Sequence, residues 1–293
     1  MSTFFKNQKI RPMSYSNYNE ATIALPKLAS PKIDGIRAIV KNGIFRSKSM
    51  KPLPNERLQR LCSPALEGFD GELYIGNPWA PDVFNRTVSC LMSKNKAITG
   101  IHYKVFDYWN QPTMQFIDRY YKLLTQPPST FHSFTHQQPI NSLADIEQWI
   151  QVWTQSGYEG LVLKDPKGLY KYGRSTDKEQ LAVKYKEHTY SEAIIVGFIE
   201  GTTNNNEAVI DNRGLTTRSR RSSNIIPTNT LGSLIVRDLK SGIVFNISSG
   251  LTDKEKSSFW ENKAQIYHKR ITYKSMGCGV KCKPRQPVFL RLA

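Results

Sequence analysis

Short strand-patterned runs dominate this chain, and their character changes near residue 189. That pattern points to an α+β architecture in two parts. Residues 29–47 read as two short strands joined around Lys41-Asn42-Gly43, because Asn-Gly readily supplies the left-handed residues of a tight hairpin. Further strands are expected at 68–75, 102–109 and 160–163. Between 142 and 156, Leu143, Ile146, Trp149, Ile150 and Trp153 recur at helical spacing. Ser142 and Asp145 are placed for a capping box there, with Gly157 as the stop.

Beyond 189, strand patterns at 193–199, 233–238, 243–247 and 288–292 surround one amphipathic helix at 253–262. Short strands with a single helix suit a small β-barrel of the OB-fold kind. The expected organisation is a larger α+β domain over 1–189 and a barrel over 190–293. An insertion at about 201–230 interrupts the barrel. It is polar, and it carries Arg213, Arg218, Arg220 and Arg221 with no acid between them. It buries too little apolar surface to order itself and is expected to stay mobile until it meets a partner.

The 293 residues carry 41 Lys and Arg against 24 Asp and Glu, an excess of 17 positive charges. Such a chain attracts polyanions, nucleic acid first and an anionic membrane surface second. No run approaches the ~18 apolar residues of a membrane span, and the N-terminus lacks a signal-peptide core, so the expectation is a cytoplasmic protein. Of the cysteines Cys62, Cys90, Cys278 and Cys282, only the last two are close, so free thiols are expected rather than zinc.

The sharpest chemical signal is Lys32-Ile33-Asp34-Gly35-Ile36-Arg37. Alone, a K-x-D-G-x-R match is weak. Here it is followed in order by Asp70-Gly71-Glu72, Phe106-Asp107, Glu159-Gly160-Leu161-Val162-Leu163-Lys164 and Lys184-Tyr185-Lys186. A lysine nucleophile must shed a proton, which at neutral pH costs about 4 kcal/mol for an ordinary ammonium. Neighbouring cations such as Lys184, Lys186 or a divalent metal are expected to reduce that cost. Read singly, Phe106 is a core aromatic, Glu72 a solvated acid, and Lys184 and Lys186 a solvated strand face.

Together the motifs resemble those of the covalent nucleotidyltransferases, which comprise DNA ligases, RNA ligases and mRNA capping enzymes. Within that group the chain looks like the minimal ATP-dependent DNA ligases of viruses and bacteriophages, the chlorovirus type above all. The likeness runs from Pro26 to Leu292 and includes Ser249-Gly250-Leu251-Thr252 and Pro284-Arg285-Gln286-Pro287-Val288. It implies a nucleotidyltransferase domain followed by an OB-fold, and a monomer clamping nicked double-stranded DNA. It implies ATP as adenylate donor, with Mg²⁺ or Mn²⁺ as metal. Lys32 then becomes the AMP-carrying nucleophile, and Lys184 and Lys186 the holders of the α-phosphate. Glu72 and Glu159 fall at metal or ribose positions, and Phe106 and Val162 on the two faces of adenine. Asp34 and Arg37 match positions beside the nick termini, with Arg37 also at the nucleotide. Lys48, Arg174 and Arg285 fall at DNA or phosphate positions, and the insertion's Arg213, Arg218, Arg220 and Arg221 where chlorovirus ligase has a DNA latch. Lys48 stands where an arginine is usual, and lysine lacks the two-pronged phosphate grip.

The pattern departs from larger ligases at its end. The chain reaches Phe289-Leu290-Arg291 and stops at Ala293, without the R-x-D-K element that orients pyrophosphate. Self-adenylylation is then expected either to depend on Arg285, Arg291 or another cation, or to be slow. The alternatives are a capping guanylyltransferase, an RNA ligase, and a catalytically inactive DNA end-binding protein. EGLVLK ending in Lys164, the insertion and the PRQPVFL terminus favour a DNA ligase over the first, and Arg37 favours it over the second. Retention of Lys32, Glu159, Lys184 and Lys186 disfavours the third.

Overall fold

A computed structural model describes residues 10–210, 216–219, 221–276 and 283–293. It divides into a unit ending at Lys186 and a second beginning at Glu187.

In the first unit two five-stranded sheets form. One runs β1 (Ser16–Asn17), β10 (Ala182–Lys186), β9 (Gly160–Lys164), β2 (Lys27–Lys32) and β8 (Gln138–Ile140). The other runs β4 (Ile44–Ser47), β3 (Ile36–Lys41), β5 (Phe69–Ile75), β6 (Ile101–Tyr108) and β7 (His132–Phe134). Residues 29–47 thus contribute three strands rather than two, and the break at 33–35 carries the chain from one sheet to the other. Asn42 and Gly43 both have positive φ, 55° and 66°, as the hairpin requires. Their strands β3 and β4 pair from Lys41–Ile44 to Ala38–Ser47.

Alternation then decides which side of each strand is buried. Ala29, Leu161, Leu163 and Val183 pack against Ile146 and Trp153 of α4 (Leu143–Gln155). The capping box of Ser142 and Asp145 is formed at its start. The second sheet buries Ile36, Ala38, Val40, Phe45, Leu73 and Val105 in a core shared with α1 (Glu56–Arg60), α2 (Val83–Leu91) and α3 (Phe116–Leu124). Met13, Ile39, Trp109, Tyr170 and Ala182 join the two sheets in a third apolar cluster.

The second unit is built on β15 (Val244–Ile247), β14 (Ile225–Asp238), β11 (Thr189–Asn204), β16 (Arg270–Ser275) and β17 (Val288–Leu292), in that order. Helices α5 (Asp253–Glu261) and α6 (Lys263–Ile266) contribute Phe259 and Ile266 to its core. The barrel expected here does not close by a continuous ladder. Its outer strands meet only near an isolated bridge, Ser249–Val288, so the sheet stays partly open. The insertion also departs from expectation. β11 and β14 prolong their ladder to Asn204–Ile225, and β12 (Ala208–Ile210) pairs with β13 (Thr216–Arg218). Buried Asn206 donates from Nδ2 to Asn204 Oδ1 and to the carbonyls of Ser219 and Arg221. Backbone pairing and one buried amide thus give the described part of this polar segment its strands without an apolar core.

Asp238 ties this unit together. Its buried carboxylate accepts from Ser241 N at 2.6 Å, Ser241 Oγ at 2.7 Å, Tyr273 OH at 2.7 Å and Ser191 Oγ at 3.0 Å. Burial pushes the carboxyl up, but these donors outweigh it and hold it down at about 2. Asp238→Ala is expected to lower stability by about 2 kcal/mol in urea unfolding, because the buried Tyr273 hydroxyl and the half-buried Ser191 hydroxyl lose their acceptor.

No helix among the described residues is long and apolar enough to cross a membrane. Cys62 and Cys90 are free thiols, and Cys278 and Cys282 lie outside the described residues.

Candidate active site

Strand register assembles the site. Lys32 of β2 lies across from Gly160 of β9, which lies across from Lys186 of β10. One row along, Ser30, Val162 and Lys184 are aligned in the same way. Period two therefore puts Lys32, Val162, Lys184 and Lys186 on one face of the sheet, opposite the face packed on α4. Gly160 must be glycine, since its φ is 149° and a Cβ would lie 2.3 Å from the Tyr185 carbonyl oxygen.

The second sheet supplies Arg37 of β3 and Glu72 of β5, which are cross-strand neighbours. Phe106 owes its place to a bulge. Asp70 pairs with Asp107 and Gly71 with Val105, leaving Phe106 as the extra residue on β6. A bulge of this kind re-aims a side chain. Between these strands lies a cavity of about 360 Å³. Lys32, Arg37, Lys48, Glu72, Phe106, Val162, Arg174, Lys184 and Lys186 all line it. Tyr15 and Lys164 do so too, without having been singled out for it from sequence.

Glu159 sits beside the cavity. Its N–H donates to the Lys32 carbonyl at 3.1 Å, and its carboxylate bridges the ammonium groups of Lys32 and Lys186, the latter at 2.6 Å. A carboxylate as well as cations therefore faces Lys32. Burial works to lower the Lys32 pKa, but Glu159, Glu72 and Asp34 outweigh it and hold it above the ordinary lysine value. Lys184 is lowered by burial first, then by Lys186, Lys32, Lys48 and Arg174. Lys48 is lowered by burial, Arg37 and Arg174. Glu72 is pushed up to about 7, chiefly by burial.

Arg37 is committed to the scaffold as well as to the cavity. Its guanidinium grips Asp70 with Nε at 2.9 Å and Nη2 at 2.6 Å, and Tyr170 OH donates to the same carboxylate at 2.5 Å. Behind Phe106, buried Asp107 accepts from Lys164 Nζ at 2.8 Å and Arg119 Nε at 2.6 Å. The Lys164 ammonium also lies 4.8 Å from the Phe106 ring centroid. Asp70, Asp107 and Lys164 stood in recognisable motifs, whereas Tyr15, Arg119 and Tyr170 carried no signal of their own.

Other predicted residues lie elsewhere. Asp34 does not line the cavity, although its charge acts on Lys32 and Glu72. Arg218 and Arg221 are exposed on the insertion, and Arg285 is half-buried before β17, all in the second unit. Arg213 and Arg220 lie outside the described residues. Among the described residues no group of three or more His, Cys, Asp or Glu could hold a metal.

Gly35 makes the crossing between sheets workable. A Cβ there would lie 2.3 Å from the Leu73 carbonyl oxygen and 3.0 Å from Glu72 Cγ. Gly35→Ala is expected to displace Lys32 and Glu72 together, cutting nucleotide charging by about 10²-fold, as angstrom-scale misplacements do. Single-turnover charging would measure it.

Fold and cavity define a nucleotidyltransferase domain accompanied by an OB-like domain. Family models match residues 17–186 as "ATP dependent DNA ligase domain" and residues 227–292 as "DNA ligase OB-like domain". The chain therefore belongs to the ATP-dependent DNA ligases, whose expected function is nick sealing. Among solved structures, Chlorella virus DNA ligase-adenylate is 28% identical with a TM-score of 0.55, covering 97% of this chain and 98% of that one. A structure from work on Lig E DNA ligases has a TM-score of 0.75 at 23% identity, covering 97% of this chain and 99% of that one, and speaks to the fold. A sequence search of curated proteins found no match.

Proposed function

We propose that the chain seals 3′-OH/5′-phosphate nicks in duplex DNA through an AMP held on Lys32 and then on the DNA 5′-phosphate. The observation that carries this reading is one cavity with a lysine at its floor, an aromatic–apolar pair and a cationic rim. Phe106 and Val162 take the adenine faces, where stacking and apolar contact hold a flat ring. Lys184 and Lys186 take the α-phosphate, and Arg37 and Glu72 the ribose side. Lys32 Nζ loses its proton and bonds to the α-phosphorus as the bond to the β-phosphate oxygen breaks and pyrophosphate leaves. The rim cations oppose the charge that develops on the phosphoryl oxygens. Nicked DNA then accepts AMP on its 5′-phosphate, and the 3′-hydroxyl displaces it, with Asp34 and Arg37 beside the termini.

The carboxylates suit Mg²⁺. Glu72 and Glu159 offer only oxygen, and a sparse acidic set fits an ion that keeps several waters. That Glu72 is driven up to about 7 by burial, with two cations near, marks a place that welcomes further positive charge. When bound, the ion supplies charge neutralisation at the phosphates.

We assign nucleotide charging to residues 1–189 and an OB-type domain to 190–293, the whole acting as a monomer clamping DNA. Lys48, Arg174, Arg218, Arg221 and Arg285 are assigned to the DNA backbone, with Arg213 and Arg220 in the same insertion. The ribbon across 201–230 is assigned as a latch, because its exposed arginines suit phosphate positioning. Deleting 203–229 is expected to weaken nick binding about tenfold or more while leaving nucleotide charging within about twofold. Equal DNA affinity in the deletion variant defeats the latch.

The reading as a whole is tested by offering labelled ATP and GTP separately with Mg²⁺, then adding a singly nicked duplex. An ATP-only covalent adduct that nicked DNA discharges, with strand joining, is expected. A GTP-preferring adduct points instead to a capping guanylyltransferase.

A further inference from the structure

The face of β5 and β6 that presents Glu72 does not end at the nucleotide cavity. It continues along the cross-strand pairs Glu72–Lys104 and Tyr74–His102 into a second pocket of about 410 Å³. The two cavities share Pro31, Ile33 and Thr135 in their walls. Gly76 to Trp79 and Tyr158 line its other side.

Its lining is chemically selective. Tyr74 and His102 stack with centroids 5.3 Å apart and planes at 29°, and Trp79 meets Tyr158 edge-on at 6.0 Å. The Trp79 residue is 48% exposed, a high value for so large an apolar surface. The basic side chains in the lining are Lys104, His102 and His136, and no carboxylate joins them. Burial alone lowers the Lys104 pKa, and its ammonium donates to Ser133 Oγ at 3.1 Å. It forms no ion pair with any described carboxylate, its cross-strand neighbour Glu72 included. Half-buried positive charge without a counter-ion, beside an open indole, selects a ligand that is flat, aromatic and anionic. A volume of this size holds one mononucleotide.

We propose that this second pocket binds a nucleoside monophosphate unit, with Trp79 as the stacking surface for the base and Lys104 as the receiver of the phosphate. The unit comes either free in solution or as an unpaired terminal nucleotide of a DNA strand. Trp79 and Lys104 have no part in the lysine chemistry of the neighbouring cavity.

Calorimetric titration of the full chain with AMP separates the two cavities. Wild-type protein is expected to take up two AMP, Phe106→Ala to lose the site of the first cavity, and Trp79→Ala the site of the second. Trp79→Phe keeps a ring and should retain most of the affinity, while Trp79→Ala weakens this site by about tenfold or more, the usual effect of losing one stacked base. Lys104→Met should weaken AMP while sparing adenosine. AMP at the second site should quench tryptophan fluorescence strongly in wild-type protein and much less in Trp79→Phe, whose pocket keeps only the buried Trp153. A parallel arm compares a nick bearing a one-nucleotide 5′ flap with a fully paired nick. Tighter flap binding that Trp79→Ala abolishes assigns the site to DNA, and AMP uptake without flap preference assigns it to free nucleotide. A single AMP per chain unaffected by Trp79→Ala, with no flap preference, overturns the proposal. Loss of the first site only, or its absence, bears on Lys32 chemistry and leaves this pocket's result readable.

Discussion

Lys32→Ala is expected to form no protein-bound AMP, falling at least about 10⁴-fold below wild type in charging with labelled ATP, because the bond to phosphorus has no nitrogen to receive it. Lys32→Arg should fail almost as completely, for a different reason. A guanidinium keeps positive charge opposite Glu159, so the ion pair and the fold survive, but it does not surrender a proton near neutral pH. The arginine variant thus separates nucleophile from counter-ion. Both variants should still join a nick whose 5′-phosphate already carries AMP, since the work of the lysine is then finished. A charged adduct in either variant moves the nucleophile to another side chain. Failure on the pre-adenylylated nick, with normal DNA binding, would give Lys32 a further role in strand joining.

The lysine was legible in sequence because each of its neighbours lies in a short ordered motif whose spacing survives in one dimension. Lys184 and Lys186 share a face by strand period, and the hairpin at Asn42-Gly43 and the capped helix α4 obey local rules. What escaped was everything decided by register and burial. Lys32 was expected to be made reactive by the cations around it. The carboxylate of Glu159, the residue before its row partner Gly160, stands between it and Lys186. Arg37 looked like a substrate residue, and its bidentate hold on Asp70 depends on β3 and β5 being adjacent. The bulge that turns Phe106 out leaves no trace in composition. In the described part of the insertion a continuing backbone ladder and the Asn206 amide supply pairing that apolar patterning does not encode. The open edge of the second sheet is likewise a matter of strand ends, which hydrophobic alternation does not encode.

The largest loss of stability is expected from Asp107→Ala. Asp107 and Arg119 are fully buried, and the Lys164 side chain is 3% exposed. These residues are separated by 12 and 57 positions in sequence, so only the folded chain brings the charges together. Removing the carboxylate leaves two buried cations with only carbonyls and ring faces as partners: the Met114 and Gly168 oxygens for Arg119 and the Phe106 oxygen for Lys164, with the Phe116 ring near both. Breaking a buried ion pair from one side costs about 3–5 kcal/mol, which is a large part of the margin of an ordinary domain. Asp107→Ala paired with Lys164→Met should lose less than the sum of the single changes, because the second substitution removes a stranded charge. Acid should reproduce part of the effect. Burial raises the Asp107 carboxyl, but Lys164 and Arg119 outweigh it and hold it below the ordinary aspartate value. A depressed folded-state pKa gives stability that is present above the unfolded value, near pH 4, and lost as pH falls toward the folded one. Urea midpoints of wild type should therefore fall below about pH 4, and Asp107→Asn should flatten that share of the decline. Because Lys164 lies against the Phe106 ring, a destabilised but folded variant should also show a raised KM for ATP in charging. A loss below about 1 kcal/mol in Asp107→Ala, the scale of a single ordinary hydrogen bond, would show that the cations find water or carbonyl partners as good as the carboxylate.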